Sequence, residues 1–310
     1  MGSFEVSHLT KWYREGAPVL DDISFRYEGA GAIGYLGPNG AGKTTTLKLL
    51  VGLLRPSRGR AAVNGLDPIA DRKRALWDVG AVIETPEPYP TLNVFEALET
   101  VGSSRGLAST DIDREVDRCN ELLHLPPFRM RIGWLSKGQR QRVALASALI
   151  GDPSVLLMDE PTSGLDPAER VIVRGLLDRL KRDHLIFMSS HQMLEVTEVC
   201  DHVIFLDRGR VLLQAAVDEV AERIRPRQVD VEFVKPVAAE RVEAVVAAPT
   251  EVVRLSERRW RIAFDGSSEA RARLLRLCQG LGEVAQFTGS SLLLEDAYLE
   301  LIKEPPEESE

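Results

Sequence analysis

Residues Gly37-Pro38-Asn39-Gly40-Ala41-Gly42-Lys43-Thr44-Thr45 carry the most legible chemistry in this chain. A glycine-rich stretch lets consecutive backbone N–H groups turn inward around an anion with no Cβ in the way. The apolar run Ala32 to Leu36 before it reads as a buried strand, and Leu47-Lys48-Leu49-Leu50-Val51 after it reads as the opening of a helix. Strand, glycine-rich loop, GKT and helix together form a complete phosphate-binding context, to which the helix N-terminus adds partial positive charge. The pattern assigns Gly37 to Gly42 to the phosphate cradle, Lys43 to the β- and γ-phosphates, Thr44 to Mg²⁺ and Thr45 to the α-phosphate. It predicts a nucleoside triphosphate as ligand.

A second acidic stretch belongs to the same chemistry. Val155-Leu156-Leu157-Met158 reads as a buried strand with Asp159-Glu160 at its C-terminal end, the edge at which parallel α/β sheets bind ligands. Asp159 is placed to hold Mg²⁺, often through water, and Glu160 to orient or deprotonate the attacking water. His184 to Met188 reads as the next strand, closed by Ser189-Ser190-His191. A lone histidine is most often structural; one just past a strand beside the carboxylate strand is also a candidate γ-phosphate contact. Asp166-Pro167-Ala168-Glu169 has the marks of a helix start, with a side-chain cap, proline at the first helical position and an acid three residues after the cap.

The elements that must position these residues follow from periodicity. Phe4 to Leu9 alternates and reads as an edge strand; Val19 to Tyr27 reads as a second, with Ile23, Phe25 and Tyr27 on one face. Between them stand Trp12 and Tyr13. An aromatic shortly before a phosphate loop can stack on a nucleotide base or simply cover a sheet edge, and position alone leaves both readings open. Arg60 to Asn64 reads as a short strand, Pro68 to Trp77 as a helix, and Val79 to Ile83 as a strand ending at Glu84. Thr85 to Pro90 must be an irregular loop, because proline blocks helix and central strand, and such loops carry contacts. From Asn93 to Ile150 the pattern is helical, a block inserted between the loop and the carboxylates. Val203–Leu206 and Val211–Leu213 form a hairpin around Asp207-Arg208-Gly209.

Composition sets the outer bounds. A chain of 310 residues holds one large domain and a small one. Its net charge of −8 argues against nucleic acid as a partner. Cys119, Cys200 and Cys278 lie far apart with no metal-ligand spacing, as expected of isolated thiols in a reducing compartment. No apolar run approaches the roughly 20 residues that span a bilayer. The N-terminal residues lack a signal pattern, and Val6 stands where a myristoylation motif wants Ser or Thr. A cytoplasmic protein is expected, with any membrane role exercised through a separate chain.

The stretch Leu135-Ser136-Lys137-Gly138-Gln139-Arg140-Gln141-Arg142-Val143 resembles the LSGGQ signature and QR-rich helix of the nucleotide-binding subunits of ATP-binding cassette transporters. Its combination with GPNGAGKTT, VLLMDEPTSGLD and SSH, in that order, is highly specific, and the resemblance covers residues 3 to 220. It implies an α/β P-loop NTPase (RecA-like) core with an antiparallel β subdomain and an inserted helical subdomain. ATP and Mg²⁺ are the implied ligands and ATP hydrolysis the implied activity. Tyr13 would stack adenine, Asp159 would be the magnesium carboxylate, Glu160 the catalytic base and His191 the bridge to the γ-phosphate. Ser163-Gly164-Leu165-Asp166 would be the loop that crosses to a partner, which makes Asp166 a shared nucleotide-site residue. Ser136, Gly138 and Gln139 would meet ATP held by a second copy of the chain, so that dimerisation completes the active site. Separate transmembrane permease subunits would be contacted through the Glu84–Pro90 loop, which would place the chain peripherally on the inner face of the cell membrane.

Two positions depart from the family pattern. Glu84 stands where glutamine is usual; a carboxylate can still ligate Mg²⁺ but adds negative charge beside the triphosphate. A similar glutamate occurs in subunits that export lantibiotics, bacitracin and related antibiotics, which favours a drug, antibiotic or antimicrobial-peptide exporter. Lys137 replaces the first signature glycine, and with Ser136 and Gly138 intact ATP binding is expected to persist. The alternative readings are a soluble cassette ATPase acting on nucleic acid or ribosomes, and the ATPase of an importer. The first typically has two cassettes, a long coiled-coil insertion or zinc cysteines, none of which is present in this sequence.

Pro226 breaks the pattern. The expected division is a nucleotide-binding domain over 1–222, with its helical subdomain near 90–150, a small accessory domain over 223–303 and a disordered acidic tail over 304–310. In the accessory region, strands at Val229–Val234, Glu251–Leu255, Arg258–Phe264 and Val284–Leu294 and helices at Ala238–Ala248 and Glu269–Leu281 give the order βαββαβ, suggesting a ferredoxin-like sandwich. A short helix at Glu295–Lys303 closes it, and Ser291 to Leu299 resembles an ending common in multidrug-exporter subunits. Regulation or dimer bracing and a passive apolar cap remain equal readings of this region.

Overall fold

The computed structural model describes residues 2–14, 16–84, 89–223, 228–245 and 252–289. The expected helix at Glu295–Lys303, the tail at 304–310, most of the Thr85–Pro90 loop and the end of the Ala238–Ala248 helix lie outside these residues. The chain divides into two compact units, Met1–Val217 and Asp218–Ser309.

The first unit opens with strands β1 (Ser3–Trp12), β2 (Pro18–Glu28) and β3 (Gly31–Leu36), helix α1 (Lys43–Leu50) and strand β4 (Arg58–Val63). β1 pairs antiparallel with both β2 and β4, in the order β2-β1-β4. This corrects the reading of Phe4–Leu9 as an edge strand: its alternation reflects one buried face, not a free edge. His8 and Asp22 adopt positive φ of 47° and 52° at the β1–β2 irregularities, so Leu20 joins Ile23 and Phe25 on the buried face.

Helix α2 (Arg72–Ala75) and strand β5 (Val79–Val82) follow. The helix expected over Pro68–Trp77 is reduced to that one turn. The Asp67 carboxylate accepts hydrogen bonds from the N–H groups of Ile69 (2.7 Å) and Ala70 (3.2 Å), holding the chain in a side-chain turn instead. Helices α3 (Val94–Ser104), α4 (Ser109–Leu123) and α5 (Lys137–Leu149) pack together as a helical block. Both α3 and α5 begin with reciprocal capping boxes, Asn93 with Glu96 and Ser136 with Gln139. α4 buries Ile112, Val116, Cys119 and Leu123 at helical spacing.

Strand β6 (Val155–Asp159), helix α6 (Pro167–Leu180), strand β7 (Leu185–Ser190), helix α7 (Met193–Val199), strands β8 (His202–Asp207) and β9 (Arg210–Ala216) and helix α8 (Val217–Arg223) complete the sequence of elements to residue 223. The six-stranded sheet runs β5-β6-β7-β3-β8-β9 and is parallel except for β9. The β8–β9 turn has Arg208 and Gly209 at φ 46° and 79°, the left-handed pair that two-residue hairpins require. Rings of Phe4 and Tyr35 lie 4.8 and 5.0 Å from that of Phe187, joining the antiparallel sheet to the parallel one. This apolar seal, with Leu47 and Leu50 of α1, clamps the loop between β3 and α1 from below. The result is an α/β phosphate-loop core with an antiparallel β subdomain and an inserted helical block.

The second unit contains strand β10 (Gln228–Phe233), helix α9 (Ala239–Val245), strands β11 (Val252–Arg254) and β12 (Arg259–Ala263), helix α10 (Ser268–Leu281) and strand β13 (Val284–Gly289). Its antiparallel sheet runs β11-β12-β10-β13. One face is apolar: Val229, Val231, Phe233, Trp260 and Ile262 pack with Leu274 and Cys278 of α10. On the other, Asp230 accepts hydrogen bonds from Arg259 (3.0 Å) and from Arg261 (2.7 and 3.1 Å). The Arg261 hydrogen bond, with Arg259 beside it, holds the Asp230 carboxyl below its usual range. A depressed pKa means stability present above the unfolded value near 3.9 and lost as pH falls through the folded one. Asp230→Ala is expected to cost about 1–2 kcal/mol, the arginines being part-exposed. Amide exchange in β10 and β12 should therefore accelerate in the variant at neutral pH, and the difference should vanish in acid.

Candidate functional site

Four strand ends converge where the sequence places the chemistry. β6, β7 and β3 are neighbours in the sheet, so Asp159, Ser189 and the loop after Leu36 share one carboxyl edge, with Glu84 following β5 on the far side of β6.

The loop Gly37 to Gly42 wraps that edge. Pro38, Asn39 and Gly40 form its exposed crest, while Gly37, Ala41 and Gly42 are buried. A Cβ on Gly37 would come within 2.2 Å of the Leu206 carbonyl oxygen, a backbone atom that cannot retreat. Gly42 adopts φ 113° and a Cβ there would strike Leu20 at 2.6 Å. Among the described residues, the N–H groups of Asn39, Gly40, Gly42, Lys43, Thr44 and Thr45 donate to no protein acceptor. Such a run of free amides at a helix N-terminus is an anion cradle.

Lys43 is only 6% exposed and its ammonium donates to the carbonyls of Gly37 (2.7 Å) and Pro38 (3.2 Å). Its Nζ lies 4.0 Å from Glu160 Oε1. Burial pushes the Lys43 pKa down, while Glu160 and Asp159 hold it up. The Thr44 hydroxyl donates to Asp159 Oδ2 at 2.8 Å, and the Glu84 N–H reaches the same oxygen at 3.4 Å. Thr45 is half-buried, and its hydroxyl has no partner among the described residues. His191 Nδ1 lies 3.0 Å from Glu160 Oε1. Glu160 and Glu84 both hold left-handed backbones, φ 46° and 60°, conformations that cost free energy in a non-glycine residue and cluster at functional sites.

The structure therefore brings Lys43, Thr44, Asp159, Glu160, Glu84 and His191 to one place. Among the described residues, no hydrogen bond or ion pair joins Ser136, Gly138 or Gln139 to Gly37–Thr45. The Ser136 hydroxyl accepts from Gln139 N–H (3.1 Å), and Gln139 Oε1 accepts from Ser136 N–H (2.9 Å). Gly138 faces the Glu169 carboxylate, and exposed Lys137 reaches across Gly164, its Nζ 1.8 Å from where a Cβ on Gly164 would stand. Asp166 caps α6 by accepting from Glu169 N–H at 2.8 Å. Trp12 and Tyr13 separate: Trp12 is half-buried under the Arg58 guanidinium, while the Tyr13 ring is 60% exposed with Lys11 beside it.

Sequence reasoning missed two residues here. Lys48, on α1, forms an ion pair with the Glu84 carboxylate, so a cation offsets the extra charge that Glu84 brings. Fully buried Ser189 donates its hydroxyl to Asp159 Oδ1. A small polar residue near the end of a parallel strand, in register with Asp159, was the available signal for the second; for Lys48, lying 36 residues from Glu84, there was none.

Residues 20–163 match the ABC transporter family. The ABC transporter ATP-binding protein NatA of Bacillus subtilis is 36% identical over 69% of this chain and 89% of its own length. The bacitracin transport ATP-binding protein BcrA of Bacillus licheniformis is 33% identical over 71% of this chain and 72% of its own. A solved dimeric ATP-binding cassette in a post-hydrolysis state, bound to ADP and Pi, superposes with a TM-score of 0.63 at 22% identity, covering 69% of this chain and 98% of that one. Sequence, fold and the assembled phosphate cradle agree: this chain belongs to the ATP-binding subunits of ABC transporters and is an ATPase.

Proposed function

We propose that this ATPase energises an exporter of drugs, antibiotics or antimicrobial peptides, closing on two ATP molecules with a second copy of itself and acting on separate permease subunits. The observation that carries the reading is the division of the chain's nucleotide residues into two places. Lys43, Thr44, Asp159, Glu160 and His191 form one cluster, while Ser136, Gly138 and Gln139 begin a helix whose N-terminus serves no phosphate site of its own chain. Two half-sites of this kind complete one another only between copies, and the solved cassette with the same fold is a dimer.

Within each site the roles follow the geometry. The loop amides and Lys43 bind the phosphates, Tyr13 offers an exposed ring to adenine, and Asp166 stands in the loop that would reach the partner. A hard divalent cation suits the donor set, because the Thr44 hydroxyl and Asp159 carboxylate present adjacent oxygens. Mg²⁺ is normally held by one or two such groups plus substrate phosphates, and when bound it neutralises developing charge on those phosphates. Glu160 is the acceptor for the attacking water's proton, and His191, 3.0 Å from Glu160 Oε1, aligns it. Glu84 stands with its carboxylate on Lys48, a second-rank oxygen beside the metal site. Catalysis is then positioning and charge stabilisation.

The permease would seat in an apolar groove of about 390 Å³ beside the Glu84–Pro90 loop, walled by Tyr89, Leu92, Ala97, Val101 and Ala148. Tyr89 is 73% exposed there, and no described helix is long and apolar enough to cross a membrane. On this reading the chain works peripherally at the inner face of the cell membrane through its permease, with nucleic acid no partner; the exposed Tyr89 beside the groove supports it. Glu84 and the similarity to a bacitracin transport protein favour export. The region 223–303 is proposed as an accessory domain, with regulation or bracing of the dimer and a passive apolar cap as its two readings. Affinity purification of the tagged chain from detergent-solubilised membranes is expected to yield a polytopic chain of several membrane helices; recovery with ribosomes or DNA instead would overturn the reading.

A further inference from the structure

We infer that Ser189 is a positioning residue for the hydrolytic carboxylates, holding Asp159 and Glu160 in their working geometry with one buried hydroxyl. The inference rests on the site roles proposed above. Ser189, the penultimate residue of β7, lies directly opposite Asp159 in the parallel register and is completely buried. Its Oγ donates to Asp159 Oδ1 and accepts from the Glu160 N–H at 3.1 Å. Its carbonyl accepts from that same N–H, also at 3.1 Å. One side chain thus touches both acids at once.

The arrangement has physical consequences at each. Asp159 has two oxygens to place: Oδ1 is taken by Ser189, which leaves Oδ2 turned towards Thr44. A carboxylate pinned at one oxygen presents the other in a fixed direction, as outer-shell partners do for metal ligands generally. Glu160 has the opposite difficulty. Its backbone sits at φ 46°, a conformation that costs free energy and persists only when its surroundings enforce it. The paired acceptors on Ser189 hold the N–H that would otherwise relax, and so keep Glu160 where its Oε1 lies 3.0 Å from His191 Nδ1. Without the hydroxyl, Asp159 can rotate about its last torsion, and the turn at Glu160 keeps only its carbonyl anchor. The global fold has no need of this contact, because the β6–β7 ladder is already complete through Asp159↔Ser189.

The test uses the full-length chain as Ser189→Ala and Ser189→Thr. In Ser189→Ala the gain in ATP affinity on adding Mg²⁺, read by equilibrium titration of ATP with and without the metal, is expected to shrink about tenfold, and kcat to fall about 10–100-fold. Metal-free ATP affinity is expected to stay as in the parent, with the melting temperature only modestly lowered by the lost buried hydrogen bond. Ser189→Thr, which keeps the hydroxyl, is expected to restore both the Mg²⁺ increment and kcat. An unchanged Mg²⁺ increment and kcat in Ser189→Ala would overturn the inference, as would equal losses in Ser189→Ala and Ser189→Thr. Glu160→Gln and Asp159→Asn measured alongside separate the two levels: if they hydrolyse ATP normally, the site reading itself fails, whereas their inactivity beside a fully active Ser189→Ala removes only the role of Ser189.

Discussion

Replacing Glu160 by glutamine is expected to reduce ATP hydrolysis by at least about 10²–10⁴-fold, the range that a positioned general base contributes. The substitution preserves shape and the ability to accept from a proton donor, but removes the carboxylate proposed to receive the proton of the attacking water. The left-handed backbone at φ 46° remains anchored, because its N–H is held by Ser189 and not by the Glu160 side chain. Nucleotide binding should survive, since the free amides of Asn39, Gly40, Gly42, Lys43, Thr44 and Thr45 and the Lys43 ammonium are untouched. Neutralising one acid 4.0 Å from Lys43 also removes a competitor for its charge. ATP should therefore accumulate uncleaved between two chains, giving a dimer stable in ATP and dispersed by its removal. Phosphate release, ATP titration and the mass in solution check this together, and hydrolysis at the parental rate would sink the role of Glu160.

Lys43→Met tests the other half of the site, with the opposite signature. The Lys43 ammonium donates to the carbonyls of Gly37 and Pro38. It thus waits inside the loop, mostly desolvated, with Glu160 and Asp159 sustaining its charge against burial. Charge-assisted hydrogen bonds are each worth about 1.5–3 kcal/mol, so loss of the cation is expected to weaken ATP binding by about 10²-fold. AMP, lacking the β- and γ-phosphates, should lose far less, and comparing the two by titration separates a phosphate role from collapse of the loop. The pH dependence has a definite sign. Burial lowers the Lys43 pKa, so its charge in the free protein is lost on raising pH before that of an exposed lysine. Parental ATP affinity should decline on the alkaline side, and Lys43→Met should be flat there.

Much of this site was legible before folding. The loop Gly37 to Thr45 could be read because its constraints are local: glycines at the positive φ of Gly40 and Gly42, a helix start at Lys43 and an apolar strand before it. Asp159-Glu160 could be read for the same reason, as acids ending a run of buried residues, and Asp166 because a cap and a proline act within one turn. Errors arose where a local pattern met a non-local partner. Phe4–Leu9 looks like an edge strand until β4 pairs with it from 50-odd residues on, and Pro68–Trp77 looks helical until Asp67 captures two backbone N–H groups of its own.

Residue types and short spacings thus pointed to ATP as ligand and to the groups proposed to meet it, because phosphate recognition is built from consecutive backbone amides. Tertiary structure alone decided how those groups are held. Ser189 meets Asp159 across 30 residues and Lys48 meets Glu84 across 36, contacts that exist only once β5, β6, β7 and α1 share one sheet edge. Chemistry was written in the order of residues; orientation waited for the packing of distant strands.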